Sequence, residues 1–134
     1  MKYYSKAFSS SNSNASIKIK ESEIVFGITS ESANKLPNPA ELFLGSFSAC
    51  ILKNVERFSH LMHFEYSKAE LTVSATRLEK PPSMDELHYE LKIYSQDSNL
   101  NINLLKRNIE KFGTIYNTVK ASCNVNGQIK KISE

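Results

Sequence analysis

Two cysteines, Cys50 and Cys123, are the residues of this chain best suited to do chemistry. Neither has a cysteine or histidine two to four residues away, so they form no zinc pattern. In a reducing compartment such residues are thiols or a working redox pair sooner than a permanent staple. The plainer reading is that both are small buried hydrophobes. His60 and His63 stand three apart near a predicted helix end, with no third ligand at a telling spacing. A role against the helix dipole or at the surface suits them better than a metal. Gly27, Gly45, Gly113 and Gly127 make no phosphate-binding pattern, and Ser46 and Ser48 lack a nucleophile-elbow context. No metal and no cofactor are expected.

Cys50 has to be positioned by the stretch running from Asn38 to about Met62. Asn38 suits an N-cap, Pro39 the first helical position, and Glu41 the third, where a carboxylate caps free N–H groups. Phe43, Phe47, Cys50, Asn54, Phe58 and Leu61 then recur at helical spacing, and Leu44, Ile51, Val55 and Met62 widen the stripe. Cys50 thus falls in mid-helix on an aromatic face. A second helix is expected from about Asn101 to Lys120, where Ile102, Leu105, Ile109, Phe112, Tyr116 and Val119 repeat every three or four residues. Gly113 weakens it and marks close packing against another helix. Cys123 follows its C-terminal end.

The remaining segments read as strands. Lys2 to Phe8 opens the chain, and Ser9 to Asn14 is a polar turn. Residues 16–20 and 24–28 form a hairpin. Ala69, Leu71, Val73 and Ala75 alternate with polar residues. After a break at Pro81-Pro82, Leu87, Tyr89, Leu91 and Ile93 face one way, and His88 faces the other. A short strand from Gln128 to Ile132 closes the order βββ-α-ββ-α-β. That order is α+β with a largely antiparallel sheet.

The whole chain bounds what these elements can serve. Its 134 residues suit one domain, 1–134, and 40% hydrophobic content fits a regular core. A net charge of +3 without a dense Lys/Arg stripe argues against nucleic acid. No apolar run is long enough to span a membrane, and the N-terminus lacks a signal-peptide core, so the expected location is cytoplasmic.

The helix from Pro39 through Glu41-Leu42-Phe43-Leu44 to Ala49-Cys50 resembles that of the OsmC-like family, which includes the organic hydroperoxide resistance proteins. The stretch Thr76-Arg77-Leu78-Glu79-Lys80-Pro81-Pro82 looks like that of its less-studied members. The resemblance implies an intertwined homodimer in which sheets wrap around long central helices. It also implies thiol peroxidase activity on organic hydroperoxides. Cys50 would be the peroxidatic residue, Cys123 the resolving one, and an external dithiol or lipoyl-type protein the reductant. An apolar pocket of Phe43, Phe47, Asn54 and Phe58 would favour an alkyl tail.

The family pairs its peroxidatic cysteine with an arginine from the N-terminal strands and a glutamate ten positions earlier. Here no arginine precedes Arg57, and Glu41 is nine before Cys50, on the opposite side of a regular helix. Glu41 therefore reads as a cap. Lys18, Lys20 and Arg57 are the candidate thiolate-stabilising cations. Where the family peroxidases carry Cys-Pro, this chain has Cys123-Asn124. The alternative function is a non-catalytic dimer that binds a hydrophobic molecule or a protein, with structural cysteines.

Overall fold

Local capping starts the long helix as its sequence demands. The structure, a computed structural model, describes residues 1–133. Asn38 Oδ1 accepts from the Glu41 N–H at 2.8 Å and Glu41 Oε1 accepts from the Asn38 N–H at 3.1 Å, a reciprocal capping box. Helix α1 then runs Pro39–Leu61.

The chain divides into two compact units, Met1–Phe43 and the residues from Leu44 onward. In the first, strands β1 (Lys6–Ser9), β2 (Ala15–Ile19) and β3 (Ser22–Phe26) form an antiparallel meander in that order. Turns at Asn12 and Lys20 adopt positive φ, 59° and 55°, which polar turn residues tolerate better than branched ones. Of its three strands only Ala15 is buried, while Phe8, Ile19, Ile24 and Val25 stay exposed.

In the second unit, β4 (Lys68–Glu79) and β5 (Pro82–Tyr94) form a long antiparallel hairpin, and β5 is the centre of the sheet β4-β5-β6. Pro81-Pro82 turns the chain between them without ending the sheet, so both strands run longer than their alternating cores. Strand β6 (Val125–Ile132) pairs parallel to β5, whereas the other described pairings are antiparallel, so the sheets are largely antiparallel as expected, with one parallel edge. The reason is the connection. Helical residues between the two strands carry the chain back to the starting edge, as parallel pairing requires.

The expected second helix is two helices: α2 (Ile102–Phe112) and α3 (Thr114–Lys120). Gly113 interrupts them with extended backbone, φ −76° and ψ 117°. Asn101 caps α2 by accepting from the Leu104 N–H at 3.0 Å. All three helices face one side of the sheet. Phe47 of α1 packs on Tyr89 of β5 and Tyr116 of α3, and Phe58 of α1 packs on Phe112 of α2. Leu87, Tyr89, Leu91 and Ile93 are fully buried under them, whereas Glu90, Lys92, Gln128 and Lys130 point to water. That division is the period-two pattern of β5 realised.

Candidate functional site

Cys50 lies at the margin of the buried stripe of α1. The stripe itself is Phe47, Ile51, Asn54, Val55 and Phe58, while Phe43 and Leu61, expected on it, are 39% and 60% exposed. Periodicity gave the direction of the face, but not how far along the helix its neighbours reach. The Cys50 side chain is half-buried and its thiol is free.

One turn further on, Asn54 is 8% exposed and turns its amide back along the helix. Its Nδ2 donates to the Cys50 carbonyl at 3.1 Å and lies 3.8 Å from Cys50 Sγ. The carbonyl fixes the orientation, because only the nitrogen side of the amide can donate to it. The sulfur therefore sees N–H rather than oxygen.

Across from α1, the break between α2 and α3 abuts the same sulfur. A side-chain carbon at position 113 would stand 3.2 Å from Cys50 Sγ, 2.9 Å from Tyr116 Cβ and 3.0 Å from the Ile109 carbonyl oxygen. The backbone there suits any residue, so close approach, not conformation, is what glycine serves. Close packing against another helix was expected of Gly113, and its partner is α1 at Cys50.

Cys123 has different surroundings. It follows α3, where its N–H donates to the Val119 carbonyl at 2.9 Å. Its Sγ donates to the Met84 carbonyl at 3.1 Å. Beside it, Asp85 accepts from the Asn124 N–H at 2.8 Å and from the Glu86 N–H at 2.8 Å. Those bonds, Asn124 first, hold the Asp85 carboxyl below its usual range. Both cysteines are free, with α3 running between Gly113, beside the first, and the turn that carries the second.

The other expected residues scatter. Phe47 and Phe58 are core residues, whereas Phe43 belongs to the first unit with Lys18 and Lys20. Lys18 stands between Lys6 and Glu23 in register. The Arg57 guanidinium lies over the Phe58 ring at 5.4 Å. His60 faces Glu56 at 3.3 Å, and Glu56 also accepts from the Tyr66 hydroxyl at 2.6 Å.

A half-buried polar cluster beneath α2 was not anticipated. The Tyr89 hydroxyl donates to Glu110 Oε2 at 2.7 Å, and Lys106 Nζ donates to the same oxygen at 2.8 Å. Burial, reinforced by Glu110, pushes Tyr89 above the ordinary phenol range and Tyr116 up to about 12. The only sequence signal was Lys106 and Glu110 one turn apart.

Comparison places these observations in a family. A family model described as OsmC-like protein matches residues 32–127, and the chain belongs to that family. No curated protein matches it by sequence. Among solved structures, it is similar to an OsmC-like protein from Mycoplasma pneumoniae: TM-score 0.86, 17% identity, 98% of each chain covered. It is also similar to an organic hydroperoxide resistance protein from Elizabethkingia anophelis, with TM-score 0.72 and 13% identity over 98% of this chain and 99% of that one. A further similar structure is that of an organic hydroperoxide resistance protein from Legionella pneumophila, with TM-score 0.68 and 14% identity over 98% of each chain. At these identities the likeness is one of fold. Among the described residues no helix is long and apolar enough to cross a membrane.

Proposed function

We propose that the protein is a thiol peroxidase that reduces organic hydroperoxides at Cys50, in the cytoplasm, as one OsmC-like domain that functions as a homodimer. The observation that carries this reading is the half-buried free thiol of Cys50 with an amide N–H of buried Asn54 directed at its sulfur. The Cys50 thiolate attacks the terminal peroxide oxygen. An S–O bond forms, the O–O bond breaks, and the alkoxide leaves and takes up a proton to become the alcohol. Cys50 is then a sulfenic acid, which a thiol reduces. Lys18, Lys20 and Arg57, on this chain or its partner, are the candidate cations that complement Asn54.

The homodimer is supported by what one chain leaves uncovered. A three-stranded sheet with one buried residue has no core of its own, and Phe43, Leu52 and Leu61 of α1 are exposed. A second copy supplies the missing cover.

The test is cumene hydroperoxide consumption with a dithiol as reductant. Wild type is expected to turn over, and Cys50→Ser to fall to the uncatalysed rate. Equal consumption by the two would end the assignment. One observation favours the non-catalytic alternative: among the described residues Cys50 makes no hydrogen bond or ion pair with a charged side chain. An inert thiol together with a co-purifying apolar molecule would establish that alternative.

A further inference from the structure

We infer that residue 113 is the place from which a second cysteine would resolve Cys50, that this chain has left it empty, and that Cys50 is resolved by a thiol from outside the protein. The inference rests on the peroxidase reading for its chemistry, but not for its geometry. In a disulfide, each Cβ lies about 3 Å from the opposite sulfur, as follows from the S–S length and bond angles. A Cβ at position 113 would stand 3.2 Å from Cys50 Sγ. Gly113 thus occupies the bonding position without a sulfur to bond.

Cys123 is not placed to serve instead. Ten positions separate it from Gly113, most of them in α3, which at 1.5 Å per residue is on the order of 15 Å. Bridged cysteines keep their Cα atoms within about 7 Å. The Cys123 thiol is also tied to β5 through the Met84 carbonyl. Closing the pair within one protomer means unwinding α3 and drawing Tyr116 and Val119, both buried, out of the core.

Resolution therefore takes two molecules of a low-molecular-weight thiol, or one dithiol. The first thiolate attacks the Cys50 sulfenic sulfur, forming a mixed disulfide and releasing water. The second attacks the sulfur of the bound thiol, and the Cys50 thiolate leaves. Two thiols are oxidised to one external disulfide for each hydroperoxide reduced. Tyr116, the titratable side chain beside Gly113, stays neutral up to about 12 and places no charge on this step.

The experiment oxidises wild type and Gly113→Cys with diamide, without peroxide, and maps disulfides by peptide mass spectrometry. The variant is expected to cross-link Cys50 to the introduced thiol nearly completely, and wild type to form no Cys50–Cys123 bond within or between chains. A Cys50–Cys123 bond in wild type, or a folded variant that fails to cross-link, overturns the inference. Wild type is then given one equivalent of cumene hydroperoxide with dimedone or with glutathione. Cys50 is expected to carry the dimedone adduct in one case and glutathione in the other, with Cys123 free in both. A peroxide-induced Cys50–Cys123 bond again overturns it. If the diamide results hold and Cys50 ignores the peroxide, the peroxidase reading has failed and the geometry of position 113 stands.

Discussion

At the residue scale, the two thiols of this chain sit among opposite kinds of hydrogen-bonding group. Cys50 Sγ is approached by a donor, the Asn54 amide, whereas Cys123 Sγ donates a hydrogen bond to a backbone carbonyl. Backbone donors also converge on Asp97, whose carboxylate accepts the Asn99 and Glu65 N–H groups, each at 2.8 Å. Those bonds, Asn99 first, hold Asp97 below its ordinary 3.8, as Asp85 is held by Asn124 and Glu86. A carboxyl lowered on folding stabilises the native state at pH above its unfolded value, and loses that effect as pH falls through the lower folded value. The melting temperature is therefore expected to fall as pH drops below about 4. Asp97→Asn, which removes the titrating group, should flatten that fall below about pH 4 when the two melting curves are compared. An unchanged slope would show that Asp97 is not a source of acid sensitivity.

At the scale of elements, one glycine fixes how β6 meets the core. Gly127 is the register partner of Tyr89 across the parallel pair, and a Cβ there would overlap the Tyr89 ring. Tyr89 cannot retreat, since it is fully buried, packs on Phe47 and is held by Glu110 through its hydroxyl. Gly127→Ala is expected to cost about 2–3 kcal/mol in urea unfolding, at the upper end for overpacking. A loss under about 0.5 kcal/mol would mean that β6 shifts freely against β5. Elements were legible to the extent that their signals are local. The Asn38–Glu41 cap and the alternation of β5 appear as read, because both depend on neighbours a few residues away. The break at Gly113 was seen as a weak point but not as an end, since the apolar period continues through Tyr116 and Val119. The parallel run of β6 was not legible because pairing direction depends on the route of the connection, not on the composition of the strand.

For the whole molecule, the uncovered surfaces of one chain are the informative feature. Phe8, Ile24 and Val25 on the N-terminal sheet and Leu52 on α1 are exposed, whereas the face of β5 under the helices is fully buried. Sedimentation is expected to give twice the 15.2 kDa chain mass, and the melting temperature to rise with protein concentration. A single-chain mass with concentration-independent melting would remove the second copy from the account.

The sequence by itself determined the long helix, its cap, the mid-helix place of Cys50, the central strand and the α+β class. Each of these is written in residue spacing along a few turns or a single strand. It also carried the motif by which the chain resembles its family. Only the tertiary structure decided what touches Cys50. Asn54 was visible one turn away, but the orientation of its amide follows from burial against the Cys50 carbonyl. Gly113 stands beside Cys50 because two helices far apart in the chain pack on one face of the sheet. The positions of the two cysteines along the sequence carried no information about that contact. Distance between side chains is set by packing, and packing is a property of the folded chain.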